Sequence, residues 1–286
     1  MQQATIAEPV MCRGIGLHSG SEVEVRLRPM EADFGIRFLR TDSGRTEIPA
    51  SLASVQSTRR ATTLARGEGG GVGTVEHLLA TFYALGIDNV EVEVSGPEMP
   101  AMDGSARPLL DWVRTAGRNL LGRPRTEVEI VETHEIRTPD SLIRISPTGP
   151  NSGLTIDYAI EFSHRCIGRQ RLKLPKLDEA VFEREVAGAR TFGFEKEVKA
   201  LRDAGLGLGG SFENTIVLGE EGVLNPEPLR WKDEFVRHKV LDLVGDLALF
   251  GAPLHGHVEV EKGGHAVHHA LLCAMQDRPS LWTTHS

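Results

Sequence analysis

The sequence predicts a fold of mixed strands and helices in which two halves of the chain repeat one order of elements. Apolar and polar residues alternate in residues 22–28 and 89–94, as they do in half-buried strands. The same alternation returns in residues 257–261 of the second half. In each half a β-rich region is followed by a helix, a strand and a helix. We therefore expect two similar structural units.

The other elements of the first half follow from periodicity and from glycines that end helices. They are a strand at 35–40, a helix from about 75 to Gly86 and a helix at 106–116. Residues 118–126, which contain Gly122 and Pro124, are predicted to be a linker. The glycine-rich residues 67–73 lack the Gly-Lys-Ser/Thr ending of a phosphate loop, so we interpret them as a flexible hairpin turn.

The second half shows the same order of elements with an insertion. Its predicted elements are strands at 128–136, 142–145 and 154–162, a helix that contains His238 and ends before Gly251, and a last helix at 264–275. The domain boundaries that follow are residues 1–122 for the first domain and 127–278 for the second. Residues 279–286 are expected to form a C-terminal tail.

Composition excludes several classes of protein. The 286 residues carry a net charge of −8, which argues against a broad nucleic-acid-binding face. Three widely separated cysteines fit neither a disulfide framework nor a cysteine zinc site, so a reducing cytosol is expected. The chain shows neither a signal peptide nor an apolar run of about 18 residues, the length that spans a bilayer. We expect a soluble cytoplasmic protein.

The spacing of His238 and Asp242 is the most informative feature of the sequence. Residues four apart on a helix lie on one face, so this imidazole and this carboxylate can reach one metal ion. His77, which directly follows Glu76 in the corresponding helix of the first half, offers a third ligand. Three protein ligands leave one tetrahedral position for water, as in catalytic zinc sites. If the two helix layers face each other, the three residues meet at their interface.

Other histidines carry weaker signals. His265 lies in a glycine turn that opens a helix, where the backbone can approach a ligand closely. Thr191, in a loop after a predicted helix, offers a hydroxyl to an oxyanion. The remaining histidines of the C-terminal region are interpreted as mostly structural or solvated: His255, His257, His268 and His269.

Together these motifs resemble a known family, the UDP-3-O-acyl-N-acetylglucosamine deacetylases, which are zinc enzymes of lipid A biosynthesis. The resemblance covers nearly the whole chain. It rests on residues 14–20 (GIGLHSG), 74–77 (TVEH), 85–89 (LGIDN), 102–105 (MDGS), 189–194 (ARTFGF), 208–211 (LGGS), 233–239 (DEFVRHK), 245–247 (GDL) and 264–265 (GH). Many separated motifs in the right order make a chance match very improbable.

The resemblance implies a pair of α+β domains, each a β-sheet layered on helices, whose helix layers face each other across the active site. The first domain would supply Glu76 and His77, and the second His238, Asp242 and His265. The family's zinc ligands match His77, His238 and Asp242, and its catalytic residues match Glu76 and His265. Its residues that orient the acid and polarise the substrate match Asp246 and Thr191.

The resemblance also implies the substrate and its contacts. Lys239 matches the diphosphate contact, and an insertion at about 194–211 matches the passage for the acyl chain. The expected substrate-binding residues are Lys239, Phe162, Phe192, Phe194, Leu206 and Gly210. The implied cofactor is one catalytic Zn²⁺ per chain, with Fe²⁺ as the alternative ion. We expect a cytoplasmic monomer of a Gram-negative bacterium that binds an acylated UDP-amidosugar, without nucleic acid and with at most transient membrane-surface contact.

The implied reaction is hydrolysis of the N-acetyl group to acetate and free amine. Two alternatives remain open. A zinc amidohydrolase of the same fold that acts on another amidosugar would share the zinc motifs. A noncatalytic nucleotide-sugar-binding protein would use the metal structurally, but it would need neither Glu76 nor His265.

Overall fold

The computed structural model describes residues 1–67, 70–149 and 152–285, and it confirms the predicted α+β fold class. The strands of the first half are β1 (Gln2–Ile6), β2 (Val10–Ile15), β3 (Glu22–Pro29), β4 (Ile36–Arg40), β5 (Thr46–Pro49), β6 (Val55–Ser57), β7 (Thr63–Ala65), β8 (Gly71–Val72), β9 (Val90–Val94) and β10 (Arg118–Pro124). Its helices are α1 (Glu76–Leu85) and α2 (Arg107–Thr115).

The second half adds strands β11 (Glu127–Ile130), β12 (His134–Arg137), β13 (Leu142–Ser146), β14 (Leu154–Glu161), β15 (Arg169–Leu174), β16 (Phe192–Phe194), β17 (Ile216–Leu218), β18 (Leu254–Glu261) and β19 (Trp282–His285). Its helices are α3 (Glu179–Glu185), α4 (Glu195–Asp203), α5 (Glu234–Leu247) and α6 (His265–Asp277). Gly86 and Gly251 adopt left-handed backbone conformations after α1 and after the 3-10 turn that follows α5, as the sequence predicts.

Each half has one large sheet. In the first half the strand order is β2-β3-β9-β4-β5, and β4 and β9 are the parallel pair in this sheet. In the second half β18 is the central strand, with β13 antiparallel to it, β14 parallel to it and β11 parallel to its first residues. The apolar residues of both sheets face the helices, so the sheets form the outer layers and the helices lie between them.

Helices α1 and α5 pack directly against each other and join the two halves. The contact is close at Gly245, where an added Cβ atom would lie 2.0 Å from the carbonyl oxygen of Glu76. Glycine is therefore required for the backbone of α1 to approach α5 so closely. This contact brings the first turn of α1 beside the face of α5 that carries His238 and Asp242.

Two segments that are expected to be a linker and a tail each contain a strand that pairs with another strand. The predicted linker at 118–126 contains β10, which pairs with β1, and Gly122 adopts a positive φ of 68° near the register shift in that pair. The predicted tail at 279–286 contains β19, which pairs with β11 and satisfies backbone groups at that edge. The side chain of Trp282 donates a hydrogen bond to the carbonyl of Met275 at 2.9 Å.

The remaining predictions for local structure have mixed outcomes. The predicted strand at 128–136 is two strands, β11 and β12. The predicted glycine-rich turn at 67–73 overlaps β8, which pairs antiparallel with β7, and its residues 68–69 lie outside the described residues. None of the helices in the described residues has the length and apolar character that crossing a bilayer requires.

Replacement of Gly245 with alanine is expected to destabilise the protein although alanine favours helices. The gain in helix propensity is about 1 kcal/mol, whereas overpacking against rigid backbone costs about 1–3 kcal/mol or more. Chemical denaturation should therefore show a lower free energy of unfolding. Gly222→Ala is the matched control, because an added Cβ at Gly222 meets nothing within 4 Å. A Gly245→Ala protein as stable as the parent would contradict the close helix contact.

Candidate metal centre and active site

Three predicted metal ligands converge at the contact between α1 and α5. The His77 side chain projects from the first turn of α1, and His238 and Asp242 lie one turn apart on α5. Asp242 Oδ1 lies 3.8 Å from His77 Nε2 and 3.4 Å from His238 Nε2. One potential ligand atom from each residue lies within 4.8 Å of the others, and all three residues are buried.

The surroundings of these side chains suit a divalent cation. Burial lowers the pKa of His77 to about 3 and also lowers the pKa of His238, so both rings are neutral and offer a lone pair. His238 Nδ1 donates to the carbonyl of Ala189 at 3.1 Å, which leaves Nε2 for a ligand. Lys239 Nζ donates to Asp242 Oδ2 at 2.8 Å, so Oδ1 is free to face the histidines. This donor set fits a catalytic metal ion with three protein ligands.

Two further titratable groups border the three ligands. His265, the first residue of α6, places its Nε2 3.8 Å from Glu76 Oε1 and 3.9 Å from Asp242 Oδ2. Burial raises the pKa of Glu76 to about 8, even though the nearby His265 ring acts in the opposite direction. A carboxylate whose pKa is raised is a stronger base than an ordinary one, which suits it to take a proton from a reacting group.

Asp246 holds the other side of the His265 ring. Its Oδ2 accepts a hydrogen bond from His265 Nδ1 at 2.7 Å. Burial opposes the charge on His265, but the attraction and hydrogen bond of Asp246 outweigh it and raise the pKa of His265 to about 9. Burial likewise opposes ionisation of Asp246, yet the two histidines beside it hold its pKa at about 2. The result is a cationic ring paired with a buried carboxylate.

A buried carboxylate anchors the segment that leads into α1. Glu98 accepts hydrogen bonds from the backbone of His18 and Ser19 at 2.7–3.0 Å. It also accepts a hydrogen bond from the Thr74 hydroxyl at 2.8 Å. Thr74 has a positive φ of 57°, an uncommon conformation for a residue with a side chain. Glu98 thus stabilises the turn that presents Glu76 and His77 to the site.

The ligands lie in the wall of a cavity of about 520 Å³ that also contains most of the predicted substrate residues. Thr191, Lys239, Phe162, Phe192 and Phe194 line it together with the three ligands, Glu76 and His265. A second cavity, of about 470 Å³, shares the walls formed by Thr191, Phe192 and Phe194. Most of its lining surface is apolar and comes from residues that include Val198, Leu201, Gly210, Phe212 and Leu224, while Glu195, Glu197 and Arg202 also border it.

Leu206, which is also predicted to bind substrate, is not among the residues that line this second cavity. Leu206 follows the tight turn after α4 and lines a different cavity, which is shared with Ala204 and Gly205. Its backbone N–H donates to the carbonyl of Leu201 at 2.8 Å, within the turn that ends α4. Leu201, in α4, lines the apolar cavity instead.

Two further buried residues lie beside the predicted site residues. His268, which is predicted to be structural or solvated, is fully buried, and its Nδ1 donates to Asp246 Oδ2 at 2.8 Å. Its spacing of three residues from His265 on one helix is the signal that would have indicated it. Thr62 donates its hydroxyl proton to Asp246 Oδ1 at 2.6 Å, and no local pattern in the sequence marks it.

The other histidines of the C-terminal region have partners away from the cavity. His255 Nε2 pairs with Glu127 Oε2 at 2.7 Å, and His257 Nδ1 pairs with the Thr155 hydroxyl at 2.6 Å. His269 contacts the sulfur of Cys273 on α6 at 3.7 Å. These three histidines agree with the structural interpretation.

A buried triad of potential metal ligands beside two further buried titratable groups, at the contact of two α+β halves, is an arrangement typical of metal-dependent hydrolases. Comparison with known proteins gives the family. The model of the UDP-3-O-acyl N-acetylglycosamine deacetylase family matches residues 3–277, and the chain belongs to this family.

Several bacterial proteins named UDP-3-O-acyl-N-acetylglucosamine deacetylase are similar to this chain. The protein of Anaeromyxobacter dehalogenans is 46% identical over 270 residues, which are 94% of this chain and 86% of that protein. The protein of Phenylobacterium zucineum is 43% identical over 284 residues, which are 99% of this chain and 96% of that protein. The protein of Oleidesulfovibrio alaskensis is 43% identical over 283 residues, or 99% and 91% of the two chains.

One divalent ion should bind per chain, and His238→Ala should abolish this binding because it removes a ligand from a buried site. Metal analysis of the purified proteins by mass spectrometry tests this expectation. His285→Ala is the matched control, because the exposed His285 pairs with Glu129 outside the cavity. Full metal content in the His238→Ala protein would contradict the ligand assignment.

Proposed function

We propose that this chain hydrolyses the N-acetyl group of a UDP-3-O-(3-hydroxyacyl)-N-acetylglucosamine to acetate and free amine, a step of lipid A biosynthesis. The observation that carries this proposal is the placement of Glu76 and His265 beside three potential metal ligands, in a cavity that adjoins an apolar one. Membership in the deacetylase family supports the same reaction.

The proposed cofactor is one Zn²⁺ held by His77, His238 and Asp242, with Fe²⁺ as the alternative. Neutral imidazoles and one carboxylate match the ligands that zinc prefers, and the second polar atoms of His238 and Asp242 are each occupied by a hydrogen bond. When bound, such an ion polarises the amide carbonyl and lowers the pKa of water to about 7. The remaining chemistry belongs to residues of the chain.

Glu76 acts as the general base in the proposed mechanism. Its carboxylate takes a proton from the attacking water while the water oxygen forms a bond to the acetyl carbon. The backbone N–H of Thr62 donates to Glu76 Oε2 at 3.1 Å, which leaves Oε1 on the side that faces His265 Nε2. The base is therefore already oriented before substrate binds.

His265 acts as the general acid. As the carbon–nitrogen bond breaks, the proton on His265 Nε2 passes to the departing amine, which would otherwise be a poor leaving group. Asp246 keeps the ring charged and oriented through its hydrogen bond to Nδ1. The cationic ring and Thr191, which lines the same cavity, would stabilise the negative oxygen of the tetrahedral intermediate.

The diphosphate, the nucleotide and the acyl chain of the substrate are proposed to contact residues that line the two cavities. Lys239, at the cavity wall, is proposed to contact the diphosphate, and Phe162 to lie near the nucleotide. The acyl chain is proposed to occupy the apolar cavity beside Phe192, Phe194 and Gly210. A long apolar chain gains free energy from leaving water for such a cavity.

The setting of the reaction is also part of the proposal. We propose that the enzyme works as a cytoplasmic monomer in a Gram-negative bacterium, with at most transient contact with the membrane surface and none with nucleic acid. Residues 1–122 and 127–278 are proposed as its two domains, and the metal ligands come from both of them.

The acid and base should be separable by mutation and by pH. Glu76→Gln and His265→Ala should keep the metal but lose turnover about a hundredfold or more, in line with acid–base contributions of about 10²–10⁴.

The parent rate should fall at low pH as Glu76 gains a proton, and at high pH as His265, with a pKa raised to about 9, loses one. A bound cation lowers the pKa of the neighbouring Glu76, so the acidic limb should lie below about 8.

Rates of acetate release across pH, with metal analysis of each protein, test these assignments. Glu76→Gln should lack the acidic limb of kcat/KM and His265→Ala the alkaline limb. Loss of metal from His265→Ala would mean that His265 is a ligand rather than the acid.

The kcat/KM of the enzyme should depend on the length of the acyl chain, and a change at Leu201 should alter this dependence. Each buried methylene contributes at most about 0.8 kcal/mol, or about fourfold in kcat/KM. Leu201→Trp narrows the apolar cavity and should penalise long-chain substrates more than short ones. Leu206→Trp is the matched control, since Leu206 lines the other cavity. Equal turnover of acylated and deacylated UDP-sugars by the parent enzyme would instead favour another amidosugar as substrate.

A further inference from the structure

The carboxylate of Asp246 is the centre of a buried hydrogen-bond network that extends beyond His265. It accepts hydrogen bonds from His265 Nδ1 at 2.7 Å, from His268 Nδ1 at 2.8 Å and from the Thr62 hydroxyl at 2.6 Å. All four side chains are buried. The two donors other than His265 have no part in the proton transfers described above.

The network requires a proton on the Nδ1 atom of each ring. An ionised carboxylate only accepts hydrogen bonds, so both Nδ1 atoms that face Asp246 are donors. The Nε2 atom of His265 is then the nitrogen that faces Glu76, at 3.8 Å. A rotation of the Asp246 carboxylate would turn the His265 ring and misdirect this atom.

His268 has a fixed orientation because Tyr158 occupies its other nitrogen. The Tyr158 hydroxyl lies 3.1 Å from His268 Nε2, and both residues are fully buried. Burial lowers the pKa of His268 and raises that of Tyr158, so a neutral ring accepts the hydrogen bond from a protonated phenol. The same hydroxyl packs against Gly263, where an added Cβ would lie 2.9 Å from it. Tyr158 therefore supports both His268 and the turn that carries His265.

Thr62 connects the acid and the base. Its hydroxyl donates to Asp246, which holds the proposed acid His265, and its backbone N–H donates to the proposed base Glu76. One residue therefore contacts both sides of the proposed acid–base pair. Valine at this position would keep the backbone donor and remove only the hydroxyl.

We propose that Thr62 and His268 are positioning residues that hold the Asp246 carboxylate, and through it the His265 ring, in the orientation that directs His265 Nε2 at the reacting atoms. The inference rests on the proposed function of His265 as the general acid. A network that served only to satisfy buried polar groups would affect stability and leave turnover unchanged.

Paired variants of the metal-loaded enzyme test the proposal. Thr62→Val and His268→Leu should lower kcat about ten- to a hundredfold, the scale that small misplacements in active sites cause. KM and metal content should change little. Thr62→Ser should restore kcat because it keeps the hydroxyl.

His268→Asn and His268→Gln form a second pair that keeps a polar side chain in the core. The amide nitrogen of asparagine matches the reach of Nδ1 and can donate to Asp246, whereas that of glutamine matches Nε2. Asparagine should therefore retain more of the parent kcat than glutamine. Thr5→Val is the control for loss of a buried hydroxyl, since Thr5 accepts a hydrogen bond from Met30 far from the cavity.

A proton NMR measurement separates this inference from the proposed function. The Nδ1 proton of His265, held by a buried carboxylate, should resonate far downfield and exchange slowly with water. It should broaden or exchange faster in Thr62→Val and His268→Leu but not in Thr62→Ser or Thr5→Val. Unchanged kcat and an unchanged resonance in the first two variants would overturn the proposal. If the parent enzyme fails to release acetate, the proposed function is wrong, and the resonance alone decides the positioning role.

Discussion

The close contact between helices α1 and α5 is the constraint on which the rest of the site depends. At Gly245 the backbone of Glu76 occupies the space that any side chain would need. This approach carries His77 to within 3.8 Å of Asp242, although the two residues lie in different halves of the chain. Neither half alone supplies all three of the potential ligands His77, His238 and Asp242. The duplicated order of strands and helices thus yields one site because two helices, one from each half, meet along their backbones.

Burial at this contact determines the chemistry as much as the identity of the residues does. Desolvation lowers the pKa of His77 and raises that of Glu76, while Asp246 outweighs desolvation and raises that of His265. Neutral histidines suit a cation, and a carboxyl group and an imidazole whose pKa values are both raised lie side by side, as the proposed base and acid require. An exposed arrangement of the same residues would show smaller shifts, because water would screen each charge.

The sequence predicted those parts of the site that local spacing encodes. The i, i+4 relation of His238 and Asp242 and the placement of Glu76 and His77 at the start of a helix follow from periodicity, and family motifs supplied His265 and Asp246. Thr62, His268 and Tyr158 were missed because their roles arise from contacts between segments far apart in the chain. Likewise, β10 and β19 were missed because an edge strand is stabilised by its partner rather than by its own alternation. The direction of Leu206 depends on the turn after α4, which composition alone does not determine.

The central claim is that residues from the two halves hold one catalytic metal ion next to Glu76 and His265. Anomalous X-ray diffraction from crystals of the zinc-loaded protein, measured at the zinc absorption edge, tests it most directly. The account predicts one peak at about 2.0–2.2 Å from His77 Nε2, His238 Nε2 and Asp242 Oδ1, the usual zinc–ligand distances. A principal peak held instead by Asp246, His265 and His268, with no density between the other three residues, would contradict it.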